Sequence, residues 1–176
     1  MSKILVVCPV FNEAHHLEKL IYEFKSTKFH GDLLFVNSGS KDTSLSIIKK
    51  SEFNYISLNK NLGVGNAIVK GIQHGLDNNY EIVCTIAGNG KMRPKLINEF
   101  TELIINKGYH YVQGSRYIQF EKNNMPLFRR LIIPFITKVF SYLFNYKFTD
   151  ATCGFRAFDL NLIKAASFNI NAKWLR

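Results

Sequence analysis

Cysteine is scarce in this 176-residue sequence, which contains only Cys8, Cys84 and Cys153. Three cysteines cannot all pair within one chain, and two of them lie in apolar runs typical of strands. The sequence therefore predicts reduced core thiols in a cytosolic protein and argues against a disulfide framework. The first apolar run, residues 4–11, contains Pro9 and lacks a small-residue cleavage site, so we interpret it as a first strand and expect no signal peptide.

Acidic residues are also few. The sequence has 13 Asp and Glu against 23 Lys and Arg, which gives a formal net charge of +10. This surplus favours polyanionic partners such as nucleotides, lipid phosphates or nucleic acid, although excess lysine could serve only to solubilise the surface. We expect no nucleic-acid partner, because no known binding module is present and the basic residues cluster in an apolar segment rather than on a polar face.

Long uncharged runs are absent. No stretch approaches the roughly 18–20 residues needed to span a bilayer. Residues 122–148 instead lack acidic side chains and predict an amphipathic segment at a membrane surface, divided by Pro134 into two helical pieces. A buried helix pair or a dimer contact is the alternative. Basic and aromatic side chains are interleaved in this segment: Arg129, Arg130, Lys138 and Lys147 among Phe128, Phe135, Phe140, Tyr142, Phe144, Tyr146 and Phe148.

Short β-branched runs alternate with segments of helical period along most of the chain. This pattern predicts an α/β fold of βαβ units on a mainly parallel sheet. With 47% hydrophobic residues the chain can form one sizeable core, so we predict a single domain over residues 1–176. The predicted strands cover residues 4–8, 33–36, 55–58, 82–86 and 109–113.

Four helices are predicted between these strands from apolar positions three and four apart. Asn12 is expected to cap the first helix and Pro94 to open the fourth. The loops after the first four strands should line one crevice, where helix N-termini bind anions. The inward-facing positions are predicted to be Leu17, Leu20, Ile21 and Phe24, then Leu45 and Ile48, then Val64, Ile68, Ile72 and Leu76, and finally Leu96, Phe100, Leu103 and Ile104.

Five motifs follow one another in a characteristic order: residues 9–13 (PVFNE), 36–43 (VNSGSKDT), 61–67 (NLGVGNA), 114–117 (GSRY) and 150–158 (DATCGFRAF). In this order they resemble family 2 glycosyltransferases of the GT-A fold, in particular the branch with dolichyl-phosphate mannose synthases and polyprenyl-phosphate sugar transferases. The resemblance covers residues 4–165. It implies a Rossmann-like three-layer sandwich with a mainly parallel central sheet, and a role in cell-envelope glycan synthesis.

The resemblance also implies a nucleotide-sugar donor and assigns residues to it. Pro9, Phe11 and Glu13 would contact the nucleotide, although Phe11 could instead belong to the core and Glu13 could simply favour a helix N-terminus. In the second motif Asn37 and Ser38 replace the usual acidic pair, so they can accept hydrogen bonds but carry no charge. The other positions carried over to the donor are Lys60, Gly65, Ala87, Gly88, Asn89 and Arg156.

The segment 82–94 (IVCTIAGNGKMRP) occupies the place of the family's metal-binding Asp-x-Asp. Ala87 has no ligand atom and the neutral oxygen of Asn89 is a poor sole anchor, so we disfavour a Mg²⁺ or Mn²⁺ site of the family type. Positioned cations can also stabilise a departing diphosphate. Lys91 is our leading candidate for this catalytic role, with solvated loop charges as the alternative. The further candidates are Lys60, Arg93 and Arg116.

On the acceptor side the resemblance implies an inverting displacement by a polyprenyl phosphate. Arg116, Arg129 and Arg130 would meet the acceptor phosphate, and Asp150 would serve catalysis as an orienting carboxylate. A phosphate is already anionic at neutral pH, so the attack needs little help from a general base. Such enzymes usually continue beyond the position of Arg176 through further acceptor-side elements. We therefore expect the site within these residues to be incomplete, either because the chain is a fragment or because something else completes the site.

Other interpretations remain beside this one. A catalytically impaired protein that binds nucleotide sugars, or a regulatory subunit, would also lack the metal-binding carboxylates. A dinucleotide-binding dehydrogenase is a poor fit, because Gly63-Val64-Gly65 follows the third predicted strand and lacks the final glycine of that fingerprint. The sequence predicts a cytoplasmic protein, peripheral at the cytoplasmic face of the membrane, and leaves the sugar, the nucleobase and the oligomeric state open.

Overall fold

The computed structural model describes residues 2–117 and 126–165. Among these residues the chain divides into two compact units, the first formed by residues 2–112 and 155–165 and the second by residues 113–117 and 126–154. The elements follow in the order β1 Ile4–Val10, α1 Ala14–Ser26, β2 Asp32–Asn37, α2 Ser44–Lys50, β3 Asn54–Ser57, α3 Val64–Asp77, β4 Ile82–Thr85, a 3-10 turn Pro94–Leu96, α4 Ile97–Lys107, β5 Tyr111–Gln113, α5 Leu127–Leu143, β6 Arg156–Asp159 and α6 Leu160–Ala165.

A six-stranded sheet in the order β3-β2-β1-β4-β6-β5 forms the centre of the first unit. The strands β1, β2, β3 and β4 pair in parallel, whereas β6 runs antiparallel to β4. The prediction of an α/β fold with a mainly parallel sheet is therefore confirmed. Because parallel strands end at the same edge, the loops after β1, β2, β3 and β4 gather there, as the sequence predicted.

The core of the first unit lies on both faces of β1. Residues in a strand point alternately to opposite faces, and all of β1 except Pro9 is buried. Leu5 and Val7 face α3, together with Leu34, Val36 and Val83. On the other face Phe24 of α1 packs edge-on against Phe35 of β2, with ring centroids 6.5 Å apart. Helices thus cover both faces of the sheet, which makes three layers.

Helix α1 buries the four apolar positions that the sequence predicted, Leu17, Leu20, Ile21 and Phe24. The prediction that Asn12 caps this helix is wrong, because the N-cap residue is Glu13 and no side chain caps the helix. Asn12 has a left-handed backbone, with φ of 53°. Its side chain instead accepts a hydrogen bond from the loop after β2.

Helix α3 packs on the sheet through small residues together with most of the predicted stripe, since Ile72 is buried and Ile68 and Leu76 pack against the same core. Val64 is 67% exposed, so its predicted inward position is wrong. The buried positions of α3 are Asn66, Ala67, Gly71, Ile72 and Gly75.

The sequence prediction missed β6, which is inserted between β4 and β5. β6 is short, and it is formed by part of the motif at residues 150–158, which we interpreted only as ligand-binding. The fifth strand begins at Tyr111, two residues later than predicted. In α4 the predicted inward position of Leu103 is wrong, since Leu103 is 38% exposed and Ile97, Thr101 and Ile104 are buried instead.

The second unit is built around α5, a 17-residue helix that contains Pro134. The predicted division at Pro134 into two helical pieces is therefore wrong, although proline still leaves the carbonyl of Arg130 without its usual helical donor. Only Ile133 and Thr137 of α5 are buried. Residues 122–125 of the predicted amphipathic segment lie outside the described residues. Among those that are described, no helix is long and apolar enough to cross a bilayer.

We predict that Gly71→Ala lowers the free energy of unfolding by about 1–3 kcal/mol, because overpacking forces side chains and backbone to shift. A Cβ on Gly71 would lie 2.6 Å from Cγ2 of Val7. Urea unfolding followed by circular dichroism measures the loss. In a Val7→Ala background the added methyl group has space, so the same substitution should cost less. An equal cost in both backgrounds would contradict this account of the packing.

Candidate functional site

Hydrogen bonds join the loop after β1 to the loop after β2. The backbone N–H of Asn12 donates to Oγ of Ser40 at 3.0 Å, and the N–H of Lys41 donates to Oδ1 of Asn12 at 2.8 Å. The N–H of Glu13 donates to Oγ of Ser44 at 2.9 Å. Because these bonds cross between the loops in both directions, the two loops form one fixed rim at the carboxyl edge of the sheet.

Asp42 adds a charged contact to this rim. Its carboxylate accepts hydrogen bonds from the N–H of Ala14 at 3.1 Å and from the N–H of Ser44 at 2.9 Å. Desolvation by itself would raise the pKa of Asp42, but hydrogen bonds from Ser44 and Ala14 outweigh it and lower the pKa. Asp42 is therefore ionised at neutral pH, with its charge directed to backbone N–H groups.

The structure places the predicted nucleotide contacts Asn37 and Ser38 below the surface, with 1% and 3% exposure. The amide of Asn37 donates to Oγ of Ser57 at 3.1 Å and accepts from the N–H of Ser40 at 3.2 Å. The N–H of Ser38 donates to the carbonyl of Val10 at 2.8 Å. Both residues thus hold the ends of β1, β2 and β3 together, and their contact with a nucleotide stays a prediction.

The turn after β4 packs against the end of β1. The N–H of Gly88 donates to the carbonyl of Pro9 at 3.2 Å, and a Cβ on Gly88 would lie 2.9 Å from that oxygen. Oδ1 of Asn89 accepts the N–H of Lys91 at 3.2 Å. Ala87 donates its N–H to the sulfur of Met92. The structure therefore brings the predicted residues Pro9, Ala87, Gly88, Asn89 and Lys91 to one part of the edge.

Phe11 and Glu13 lie on the same rim. Phe11 is 39% exposed, so the alternative that it belongs to the core is wrong. Oε2 of Glu13 lies 3.1 Å from Nδ1 of His16, and the carbonyl of Glu13 accepts the N–H groups of His16 and Leu17. Glu13 thus has a helix N-terminal role, which was the alternative drawn from the sequence, and its nucleotide contact stays a prediction.

The remaining predicted donor residues of the first unit reach the same edge. The backbone of Lys60 packs on Gly39, whose Cβ would lie 2.8 Å from Cα of Lys60. Gly65 lies in the first turn of α3. Arg156 begins β6 opposite Thr85, the last residue of β4. Since β6 is antiparallel to β4, the start of β6 lies at the carboxyl end of β4.

The donor set at this edge does not fit the divalent cation that the fold family implies. Ala87 offers no ligand atom, and Oδ1 of Asn89 is already occupied by a backbone N–H. Within residues 2–117 and 126–165, no group of three or more His, Cys, Asp and Glu side chains is arranged to hold a metal ion. Divalent cations of this class require several oxygen ligands, so no step of the chemistry is assigned to one here.

In the second unit the buried carboxylate of Asp150 accepts two hydrogen bonds from the guanidinium group of Arg116. Nε of Arg116 donates to Oδ2 of Asp150 at 2.6 Å, and Nη2 donates to Oδ1 at 2.9 Å. Nη2 also donates to Oγ1 of Thr152. The Asp150 side chain is fully buried, whereas that of Arg116 is 33% exposed. The carboxylate is therefore fully engaged by the protein and fixes the Arg116 guanidinium, and a role of Asp150 in catalysis stays a prediction.

The pairing changes the ionisation of both groups. Burial would raise the pKa of Asp150, but hydrogen bonds and charge from Arg116 outweigh it and lower the pKa. The hydrogen bond to Asp150 likewise raises the pKa of Arg116. Both groups are charged at neutral pH, and Asp150 is unsuited to take a proton as a general base.

Arg129 and Arg130 lie in the first turn of α5, where their N–H groups donate to the carbonyl of Pro126 at 2.9 and 3.2 Å. Both side chains are exposed. Further along α5 a cavity of about 350 Å³ opens in the second unit. Its walls combine one ammonium group with hydroxyls and rings: Tyr117, Pro134, Thr137, Lys138, Ser141, Phe148 and Thr149.

Sequence reasoning missed several residues that build these sites. Asp42 lies within the quoted motif 36–43 but had no assigned role, and Ser44 follows that motif directly, so their position was the available signal. Thr152 was part of a quoted motif but had no assigned role. The approach of His16 to Glu13 follows from a spacing of three on a helix, a signal that the sequence offered.

We predict that Asp150→Asn lowers the free energy of unfolding by about 1–3 kcal/mol at neutral pH, since it leaves Arg116 without its partner and part of that guanidinium is exposed. The pKa of Asp150 is lowered in the folded state, so this stabilisation is complete above the ordinary aspartate pKa of about 4 and is lost as the pH falls further. Urea unfolding across pH should show the difference between wild type and variant shrinking in acid.

The matched control is Asp77→Asn, because Asp77 is an exposed aspartate at the end of α3. This substitution should change the free energy of unfolding by less than about 0.5 kcal/mol. A difference for Asp150→Asn that stays constant from neutral pH into strong acid would contradict the assigned pKa direction.

Comparisons with known proteins agree with this architecture. Among curated relatives, UDP-N-acetylglucosamine--dolichyl-phosphate N-acetylglucosaminyltransferase from Methanococcus voltae is 28% identical over 191 aligned positions, covering 97% of this chain and 74% of the relative. Polyprenol monophosphomannose synthase from Mycolicibacterium smegmatis is 23% identical, covering 98% of this chain and 71% of the relative.

Solved structures share the GT-A fold at lower identity. Mannosyl-3-phosphoglycerate synthase from Rubrobacter xylanophilus gives a TM-score of 0.71 at 18% identity, over 92% of this chain and 54% of that one. Glucosyl-3-phosphoglycerate synthase from Mycobacterium tuberculosis, solved with Mn²⁺ and UDP, gives 0.65 at 18% identity, over 92% of this chain and 58% of that one. This chain thus spans less than two thirds of either solved chain. The profile described as Glycosyl transferase family 2 matches residues 5–165, and the chain therefore belongs to that family.

Proposed function

We propose that this protein transfers a sugar from a nucleotide-sugar donor to the phosphate of a polyprenyl phosphate, with inversion at the anomeric carbon. Membership of glycosyl transferase family 2 supports the transfer reaction. Two relatives that align with nearly all of this chain are named for dolichyl-phosphate and polyprenol substrates. The observation in this chain that carries the acceptor class is α5, which combines exposed rings with basic side chains that form no ion pair within the described part of the chain.

The donor is assigned to the first unit. Its carboxyl edge presents Phe11 as an apolar surface for a base, and backbone and hydroxyl groups of the joined loops for a ribose. Lys60 and Lys91 are exposed at the same edge and supply positive charge for a diphosphate. A rim that is fixed before binding reduces the entropy that a ligand must lose, which favours specific recognition.

The acceptor phosphate is assigned to the second unit. Two hydrogen bonds to Asp150 hold Arg116 in one orientation, so its remaining N–H groups are positioned before a phosphate arrives. Arg129 and Arg130 are exposed at the start of α5 and make no ion pair among the described residues. Three guanidinium groups suit a dianionic phosphate ester better than an uncharged hydroxyl acceptor.

The chemistry balances without a general base. An oxygen of the acceptor phosphate attacks the anomeric carbon and forms the new C–O bond. The bond from that carbon to the donor diphosphate breaks, and its electrons leave with the nucleoside diphosphate. The attacking oxygen is already anionic, so no proton has to be removed, and basic side chains balance the charge on the leaving group.

A protein that binds nucleotide sugars without transferring them is the second candidate. The observation that favours it is the loss of carboxylates at Ala87 and Asn89, where the family carries its Asp-x-Asp. A regulatory subunit of this kind would keep the rim around the first-unit edge and lose only turnover. The transfer assay below separates the two candidates.

We expect the protein to move label from nucleotide sugars to a polyprenyl phosphate, measured as label extracted into organic solvent, and to leave an uncharged polyprenol unmodified. Arg129→Ala with Arg130→Ala should raise the KM for the acceptor at least about tenfold without changing the KM for the donor. Lys147→Ala, an exposed lysine of the same unit, is the control. Donor binding without any transfer would favour the second candidate, and transfer to the alcohol would contradict the acceptor assignment.

We also propose that the second unit rests on an anionic membrane surface. Along one side of α5, Leu127, Leu131 and Phe135 recur at intervals of four and are 75%, 76% and 69% exposed. Apolar side chains on one helix face, with arginine and lysine nearby, are the composition of helices that lie in the headgroup region. This placement would bring the exposed arginines to the depth of a lipid phosphate.

Leu131→Ser with Phe135→Ser is expected to weaken binding to vesicles containing phosphatidylglycerol by about tenfold or more, because two large apolar side chains no longer enter the lipid. Co-sedimentation at a series of lipid concentrations measures the change. Tyr22→Ser is the matched control, since Tyr22 is 73% exposed on α1 of the first unit. Equal binding by both variants would show that α5 is not the membrane-facing surface.

A further inference from the structure

We propose that Lys41, Lys60 and Lys91 together neutralise the donor diphosphate in place of a divalent cation. The inference rests on the proposed function, since it concerns the same donor site, and adds how that site holds its charge. It predicts binding of a nucleoside diphosphate that is independent of Mg²⁺ and Mn²⁺. Lys41 was not among the sequence candidates, and only the loop geometry brings it into the set.

The backbone of each lysine is fixed at the carboxyl edge by a different contact. The N–H of Lys41 donates to Asn12 in the loop after β1, at 2.8 Å. The backbone of Lys60 lies against Gly39 in the loop after β2, since a Cβ added to Gly39 would be 2.8 Å from Cα of Lys60. The N–H of Lys91 donates to Asn89 in the turn after β4. Three separate loops therefore each carry one lysine to this edge.

The three ammonium groups remain available for a ligand. All three residues are exposed, and none of them forms an ion pair among the residues that the structure describes. The carboxylates on the same rim have other partners. Asp42 accepts two backbone N–H groups, and Glu13 lies 3.1 Å from His16. The carboxylates of Asp42 and Glu13 therefore do not neutralise the three lysine ammonium groups.

The turn after β4 carries a lysine ammonium group, whereas a metal site at this turn would need carboxylates. Gly90, with φ of 66°, lies against the start of α1, where its Cβ would be 3.8 Å from Cβ of His16. The turn therefore lies beside the first turn of α1. Ala87 and Asn89 supply neither charge nor a free carboxylate oxygen there, whereas Lys91 supplies a charge. A site of this composition attracts a diphosphate directly and repels a divalent cation.

Lysine charges differ from a coordinated ion in ways that can be measured. A lysine ammonium is a flexible, hydrated point charge, and solvent-exposed charges are screened by salt. Binding through lysines should therefore weaken steadily as ionic strength rises. It should not respond to a chelator, and the contributions of the three residues should be separable by substitution.

The experiment is isothermal titration of the full chain with uridine diphosphate and guanosine diphosphate, with EDTA or with Mn²⁺. We expect at least one of these probes to bind in EDTA. Replacing EDTA with Mn²⁺ should change the Kd of that probe by less than about twofold, which is well below the tenfold change that corresponds to about 1.4 kcal/mol. Binding that appears only with Mn²⁺ would overturn the inference and leave the proposed function standing. Absence of binding by both probes in both conditions would overturn the inference and the donor assignment together.

Substitutions identify the groups responsible. Each of Lys41→Ala, Lys60→Ala and Lys91→Ala should weaken binding about fivefold, and the triple variant at least about fiftyfold, as expected for partly screened charge-assisted contacts. Lys91→Arg should keep most of the affinity. Lys50→Ala, which removes an equal charge at the far end of α2, should bind like wild type. Unchanged affinity in the triple variant would overturn the inference. Since all the substituted side chains are exposed, thermal unfolding should confirm intact folds.

A reverse substitution tests the place of the diphosphate. Ala87→Asp with Asn89→Asp introduces two carboxylates at half-buried positions beside Lys91. In EDTA this variant should bind the probe at least about tenfold more weakly than wild type, because like charges then face each other, and Mn²⁺ should restore the loss. Wild-type affinity of this variant in EDTA would overturn the placement of the diphosphate beside the turn after β4.

Discussion

Hydrogen bonds between the loops after β1 and β2 are the constraint on which the donor edge depends. Asn12 both donates to and accepts from the second loop, and Asp42 accepts backbone N–H groups from the start of α1. These polar groups are satisfied within the protein, so the rim keeps its shape without a ligand. Where a residue lies on this rim, and not only its type, then decides whether its side chain is available to bind a ligand.

Much of the first unit was predictable because its strands are buried on both faces and its outer helices have a clear period. β1, β2 and β4 appear as apolar runs, and α1 has apolar residues at intervals of three and four, all buried as expected. Strand β6 escaped prediction, and the buried face of helix α3 was predicted only in part, each for a physical reason. Helix α3 adds Ala67, Gly71 and Gly75 to its predicted apolar stripe, and such small residues carry no hydrophobic period. Strand β6 is short, and its pairing with β4 depends on residues more than 70 positions away.

The candidate sites, too, could be predicted from the sequence only in part. Motif order identified which loops matter, yet it did not distinguish exposed members such as Phe11 from buried ones such as Asn37. The contact of Arg116 with Asp150 joins residues 34 positions apart, and sequence gave no geometry for it. Both arginine and aspartate had been singled out, but only their pairing explains why the pKa of Asp150 is lowered and its carboxylate stays ionised near neutral pH.

The small side chains of α3 have a consequence for how the sheet edge moves. A Cβ at Gly71 would meet Val7, and one at Gly75 would lie 3.0 Å from Val83, so the helix backbone rests directly on β1 and β4. Close contact of the helix backbone with the strands at these two glycines leaves little room for sliding, so we expect helix and strands to shift together. Adaptation to ligands of different size must therefore come from the tips of the loops, while the platform beneath keeps its dimensions.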